Sequence, residues 1–379
     1  MTRPALGTLI TLCCCLATAP AAAAQRFQHP GGLHTRSEFD AARKAIAAGD
    51  KAITEAYGHL MRHVRKNLKR TPAPVVRFSP PGYYSNPKLN RKMHKSLTLD
   101  TWAAYSCAVA YRLSANKERS QYADKAVEML DAWATENRGT GTGEGNLLMS
   151  YTGSAFVFAA EAITDYDGWK KPQRERFRAW VRTHYRPICR RIAGGGNNWG
   201  DWGTLGSITA NYYLDDARGV SADIASLKKK IDRAIAADGR MPAETGRGNN
   251  GIWYTYFALA PLTAACRVAQ NAKGVNLFRY KGRDGAGIEK ALDYLLRYCN
   301  RPRTWPHYRG KDLNVPRQKP GCWPGNLFEA MYDIYGKKEY AAWAAPARPI
   351  IVRGHHYAWS LPSLLRMAAP AGRQAPGDN

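Results

Sequence analysis

The sequence predicts an all-α protein, a ring or toroid of paired helices. Apolar residues recur at three- and four-residue intervals over most of the chain. Few runs alternate with the two-residue period of a strand, and glycine and proline punctuate most of the gaps. Successive helical hairpins without strands pack as paired helices. In chain order the helical periodicity covers 37–68, 97–114, 118–135, 149–166, 172–192, 203–214, 221–236, 251–270, 286–298, 326–335 and 355–368. Ser79-Pro80-Pro81-Gly82 interrupts the pattern between the first two segments, and the triplet Gly194-Gly195-Gly196 lies between the fifth and sixth. Val75-Val76-Arg77-Phe78 is the best short strand candidate. No linker rich in Pro, Gly and Ser divides the chain, so residues 25–379 are expected to form one catalytic domain with loosely ordered ends at 25–35 and 370–379.

Residues 1–24 read as a secretory signal. Arg3 is the charged start, Ala5 to Ala17 the apolar stretch, and Ala22-Ala23-Ala24 the small-residue cleavage site. The expected location is therefore secreted or periplasmic, with no membrane insertion after cleavage. Cys13, Cys14 and Cys15 leave with the signal. Of the remaining five, Cys107, Cys189 and Cys266 sit in helical patterns as small buried residues, whereas Cys299 and Cys322 flank a loop-rich segment and are placed to form one disulfide. Their spacing is not that of a zinc site, and no metal or cofactor is expected.

Lys plus Arg number 56 against 30 for Asp plus Glu, a net charge of +26. A charge of that size implies a polyanionic partner. Zinc-finger spacing, an aromatic RNA-binding strand and a basic-leucine heptad are all missing, which argues against nucleic acid. An acidic polysaccharide, bound by a monomer, is the expected partner. The cations gather locally at Arg62 to Arg70, Lys88 to Lys95, Lys228 to Arg233 and Arg301 to Lys319.

Two segments carry candidate chemistry. Gly194 to Gly203 places Asn197 and Asn198 beside Trp199 and Trp202 in a glycine frame that permits sharp bends. Amides hydrogen-bond carboxylates and hydroxyls, and indoles stack on apolar sugar faces. Glu244 to Phe257 supplies Arg247 and, seven residues later, Tyr254, with Asn250 between them. Asn, Arg and Tyr are the groups needed to cleave a uronic-acid polymer by β-elimination. Two loops complete the groove. Residues 79–88 carry Tyr84 and Lys88 and form a candidate lid, followed by Lys92 and His94. Residues 300–325 bring Arg303 and His307 among further arginines and tryptophans.

With these residues in view, the chain resembles the alginate lyase superfamily of polysaccharide lyases, whose members fold as incomplete α/α toroids. The resemblance is carried by His29-Pro30-Gly31 with its following helix, the helical motif around Trp133, the Asn197-Asn198 pair, Met241-Pro242-Ala243-Glu244 with Arg247, and Tyr254 to Leu259. It implies that Asn198 binds the substrate carboxylate, that Arg247 supports the tyrosine or the carboxylate, and that Tyr254 is the catalytic tyrosine. The family commonly has Asn-Asn-His, and Trp199 stands where that histidine would fall. The resemblance is nearer to mannuronan and glucuronan lyases than to periplasmic alginate lyases. In β-linked mannuronate H5 and O4 lie on one face, so a single tyrosine can take the proton and return it to O4. Arg247 beside Tyr254 is expected to lower the phenol pKa.

Two other readings stand against the lyase. A glycoside hydrolase on a similar toroid needs two carboxyl groups, for which Asp201, Asp100 and Glu244 are the candidates. A non-catalytic polyanion-binding protein would keep the groove and lack the chemistry.

Overall fold

The computed structural model describes residues 1, 26–310, 312–354 and 356–367. Apart from Met1, the expected signal segment lies outside the described residues, as do His355 and the 370–379 tail. Fourteen α-helices are present among the described residues: α1 Arg36–Ala47, α2 Lys51–Asn67, α3 Pro87–Leu113, α4 Arg119–Glu136, α5 Gly145–Ala162, α6 Lys171–Trp180, α7 Arg186–Ala193, α8 Asn198–Tyr213, α9 Ala217–Ala234, α10 Pro242–Thr245, α11 Gly251–Lys273, α12 Ile288–Asn300, α13 Gly325–Tyr335 and α14 Lys338–Ala344.

Four helices form an inner ring. Helix α3 packs on α5, α5 on α8, and α8 on α11. Each is built from small and apolar residues around most of its circumference, and α5 buries every residue from Leu147 to Ala162. A helix with no polar face must be enclosed on all sides. The enclosure comes from α4 on α3, α7 on α5 and α8, α9 on α8 and α11, and α12 on α11. The buried side chains make one contiguous cluster, in which Trp102, Trp133, Trp169, Trp180 and Trp202 are the largest.

The inner helices run parallel. At one end Asn90 of α3 donates to Glu144 just ahead of α5, and the first residue of α8 donates to Glu244 just ahead of α11. At the other end His29 bridges Glu161 at the close of α5 and Asp215 just beyond α8, while Asn271 of α11 donates to the Gly32 carbonyl. All four N-termini therefore point to one end, and their peptide dipoles favour anions there.

The ring is incomplete between α3 and α11. An irregular C-terminal segment fills the gap: Tyr357 stacks on Trp102 and donates to the Thr98 carbonyl of α3, while Trp359 donates to Thr263 of α11. The expected helix over 355–368 does not form; residues 356–367 run as turns and extended chain. Their apolar residues serve two walls of the ring at once, which one helical face does not allow. Three other expectations are corrected. The 37–68 segment is broken at Gly49, whose φ of 76° favours glycine, and Asp50 caps the new helix. Helix α3 starts ten residues before 97, capped by Asn86 with Pro87 at its first position. The strand candidate is reduced to one bridge, Phe78 with Thr140.

Cys299 and Cys322 are not bonded. All five described cysteines are free thiols; Cys299 is buried on α12, and Cys322 is half-buried in the loop beyond it. Cys107, Cys189 and Cys266 are buried as expected. No described helix is long and apolar enough to cross a membrane.

Candidate active site

The site is assembled at the N-terminal ends of α8 and α11. Ahead of α11, the short α10 is followed by Gly248, whose φ of 59° favours glycine, and then by one 3-10 turn. This bend sets Arg247 back over the first turn of α11. Its guanidinium lies 4.8 Å from the centroid of the Tyr254 ring. The Tyr254 hydroxyl is 2.7 Å from the hydroxyl of Tyr84, which reaches in from the 79–86 loop. Tyr84 is otherwise 74% exposed, so a side chain on an open loop touches the reacting candidate directly. Trp253, which the sequence reading passed over, meets Tyr254 edge-on at 4.9 Å and stacks on Phe257. Its signal was its position beside the tyrosine in the opening turn of a helix.

The Tyr254 phenol is pushed up, not down. Burial is the largest cause, and the hydrogen bond with Tyr84 adds to it; Arg247 opposes both and is outweighed. The expected sign of the Arg247 contribution is present, but the resting tyrosine is a phenol.

Helix α8 opens with Asn197 as its cap, the side-chain oxygen accepting from the Trp199 amide at 3.1 Å. That bond leaves the Asn197 amide nitrogen to donate elsewhere. Asn198 is 1% exposed. Its backbone N–H and side-chain amide donate to the two oxygens of Glu244 at 2.6 and 2.8 Å. Glu244 thus clamps the start of α8 to the segment ahead of α11. Burial pushes the Glu244 carboxyl up, against its bonds from Asn198.

The glycines ahead of α8 act differently from the sharp bend expected. None of Gly194, Gly195 or Gly196 has a positive φ. Close approach demands glycine only further on, inside α8, where a Cβ on Gly200 would fall 2.0 Å from the Gly195 carbonyl oxygen. The buried Lys230 amine donates to that same carbonyl at 2.7 Å and lies 3.5 Å from Asp201.

Several candidates lie elsewhere. Trp202 is fully buried among Tyr151, Phe257 and His356, so it is core and offers no face to a sugar. Trp199 is half-buried at the mouth. Lys88 and Lys92 are exposed on the first turns of α3, on the side from which Tyr84 approaches. His94, one turn further, bonds Thr152 at 2.7 Å and meets Tyr151 edge-on; Tyr151 lies within electrostatic reach of Tyr254. Asn250 is exposed ahead of α11 and pairs with Asn314 at 3.4 Å. Arg303 is exposed beyond α12. His307 belongs to a separate groove bounded by α12 and the 237–240 turn.

The carboxyl pair of a hydrolase is missing from this site. Asp201 is 2% exposed, ion-paired with Lys230 and pushed up to about 8 by burial. Asp100 is fully buried under Arg70, the Ala73 amide and Trp133. Glu244 spends both oxygens on Asn198. None of the three offers a free carboxyl to a sugar in the groove.

An α/α toroid with asparagines, an arginine and a tyrosine gathered at its cationic end defines a class of carbohydrate-active protein. Comparison places the chain within it: it matches the alginate lyase family over residues 61–305 and belongs to that family. A curated polysaccharide lyase of Stenotrophomonas maltophilia (strain K279a) is 29% identical over 168 residues, 41% of this chain and 46% of that protein's length. Among solved structures, alginate lyase A1-III of Sphingomonas species A1, as a tyrosine-to-phenylalanine variant complexed with a tetrasaccharide, has a TM-score of 0.69. It is 18% identical, and the alignment covers 91% of this chain and 100% of that one. An alginate lyase from Bacteroides ovatus has a TM-score of 0.66 at 17% identity, covering 89% and 99%. These identities speak to the fold alone.

Proposed function

We propose that this chain is a secreted lyase that cleaves a β-1,4-linked polyuronate, polymannuronate or glucuronan, by syn β-elimination. The observation that carries the reading is Tyr254, held between the Arg247 guanidinium and the Tyr84 hydroxyl where four helix N-termini converge.

In the elimination Tyr254 takes the C5 proton, the C4–O4 bond breaks, a C4–C5 double bond forms, and the proton passes to the departing O4. A phenol cannot accept the C5 proton, so Tyr254 must first ionise, giving its own proton to solvent. Burial and the bond to Tyr84 raise its pKa, and Arg247 lowers it. Entry of a sugar between the two tyrosines removes the Tyr84 bond and keeps Arg247, so the balance moves toward phenolate though burial still opposes it. The Tyr84 loop is thereby the lid of the groove. The charge that spreads into the substrate carboxyl is met by the Asn197 amide and by the second N–H of the Asn198 amide, oriented by Glu244. Trp199 lines the mouth as a sugar platform. His94 is linked to the reacting phenol by way of Tyr151.

The test is product chemistry. Polymannuronate, glucuronan, alginate and hyaluronan are each incubated with the protein and with Tyr254→Phe. Near-ultraviolet absorbance from an unsaturated uronate, present with the unmodified chain and lost in the variant, supports the reading. New reducing ends without absorbance indicate hydrolysis, and neither product indicates a binding protein.

A further inference from the structure

A second groove opens beside the first at the same end of the toroid. It lies between the C-terminal half of α12, the 237–240 turn and the chain after Trp305, with a volume of about 580 Å³. Its floor is aromatic. Tyr294 and Tyr298 meet edge-on at 4.9 Å, each keeping only a narrow exposed edge. Trp305 stands edge-on to both, and His307 lies 5.5 Å from Trp305. Its rim carries Arg240, Arg297 and His307.

The two acids of the groove are already engaged. Asp293 accepts from Lys337 at 2.7 and 2.9 Å and from Tyr340 at 2.7 Å. Asp238 accepts the Arg240 amide within its own turn at 3.0 Å. Arg297 and His307 make no ion pair among the described residues. A groove with an apolar floor and two unmatched donors is complementary to a chain of flat rings bearing carboxylates.

The aromatic residues of the groove are also backed by an indole that packs on the segment leading into the candidate active site. Trp305 donates its indole N–H to the Gly248 carbonyl at 2.9 Å. A Cβ on Gly251 would fall 2.5 Å from the same indole, so only glycine lets α11 start against it. The indole behind the Tyr294 and Tyr298 floor is therefore packed on the segment that carries Arg247 and leads into Tyr254.

We propose that this groove is an outlying subsite for the same acidic polysaccharide. Uronate residues beyond those at Tyr254 lie along the Tyr294 and Tyr298 edges and place carboxylates on Arg297 and His307. The proposal rests on the polyuronate reading above and adds a determinant of chain length to it.

The test measures binding of mannuronate tetramer and octamer by calorimetry, in Tyr254→Phe protein so that no substrate is consumed. The octamer binds more tightly than the tetramer, and adding Arg297→Ala with His307→Ala removes that advantage, raising the octamer Kd about tenfold for the two lost charge-assisted contacts. Lys44→Ala with Lys51→Ala, two exposed cations on α1 and α2, serves as the charge control and keeps the advantage. The proposal is overturned if the octamer has no advantage, if the advantage survives in Arg297→Ala/His307→Ala, or if the control removes it equally. Near-ultraviolet product from the unmodified chain judges the lyase reading separately. No product with an advantage that depends on Arg297 and His307 sinks the catalytic reading and keeps the subsite; product without that dependence does the reverse.

Discussion

The two ends of the toroid treat positive charge in opposite ways. Where the inner helices end, a set of cations is matched. Arg112 and Arg36 share Asp165, Arg178 reaches Asp215, Arg186 holds Asp216, Arg267 holds Glu38, and His29 sits between Glu161 and Asp215. Where the inner helices begin, Lys88, Arg91, Lys92, Lys95, Arg247, Arg303, Arg309 and Arg317 make no ion pair among the described residues. Helix dipoles reinforce the excess at that end. These eight cations are the part of the +26 net charge that lies beside the candidate site. Matched charge fastens the protein, and unmatched charge awaits an anion.

The sharpest way to break this comparison is at the open end. Tyr254→Phe keeps the ring under Arg247 and removes the proton carrier, so kcat should fall by about two to four powers of ten with oligosaccharide binding retained. A variant with unchanged kcat would make Tyr254 a packing residue. Asn198→Ala should lower kcat by about two to three powers of ten through loss of one charge-stabilising donor. It also leaves the buried Glu244 short of a partner, at about 1–3 kcal/mol of stability. Unfolding midpoints measured beside kcat separate the two losses, and Glu244→Gln should recover stability without recovering the rate.

The matched end is tested by pH. His29 is raised to about 9 by its bonds to Asp215 and Glu161, which overcome a large opposing effect of burial. A raised folded pKa contributes stability in full below the unfolded value of about 6.5 and loses it as pH climbs through about 9. The unfolding free energy from urea titrations should therefore fall between pH 7 and 10 by an amount on the order of a few kcal/mol, and His29→Gln should flatten the fall. A profile in the variant as steep as in the parent would remove His29 as the cause.

The smallest effects come from the mouth and from salt. Trp199→Phe should keep activity within about tenfold, since a stacking contact is worth about 1 kcal/mol. Raising sodium chloride shortens the Debye length from about 8 Å and should raise KM for long polymers more than for tetramers, with kcat little changed. A KM indifferent to salt would mean that the open cations serve some other anion.

Much of this arrangement was legible in the sequence because it is local. Helical periodicity and the Arg247–Tyr254 spacing depend on neighbours a few residues away, and both survive in the structure. Trp202 shows the limit. It shares a motif with Trp199 and sits one turn deeper in α8, and only the packing of Tyr151 and Phe257 makes it the core indole. Glu244 needed a partner 46 residues distant to reveal its purpose. The Tyr254 pKa is raised by burial and by Tyr84, 170 residues away, and no spacing rule connects either to it. The helix expected over 355–368 failed for a related reason: its apolar residues answer to two separate walls of the ring.

That last segment carries a consequence for how the protein is made. Thr101 and its partner Tyr357 are 256 residues apart, and Trp102, against which Tyr357 stacks, is just as remote. During synthesis the chain emerges from its N-terminus, so the wall of α3 exists long before the residues that seal it against α11. Until they arrive, a seam of tryptophan and tyrosine stays open to whatever surrounds the nascent chain. Truncation ahead of residue 356 would make that state permanent, and a chaperone that recognises aromatic surface should retain the shortened chain and release the full one.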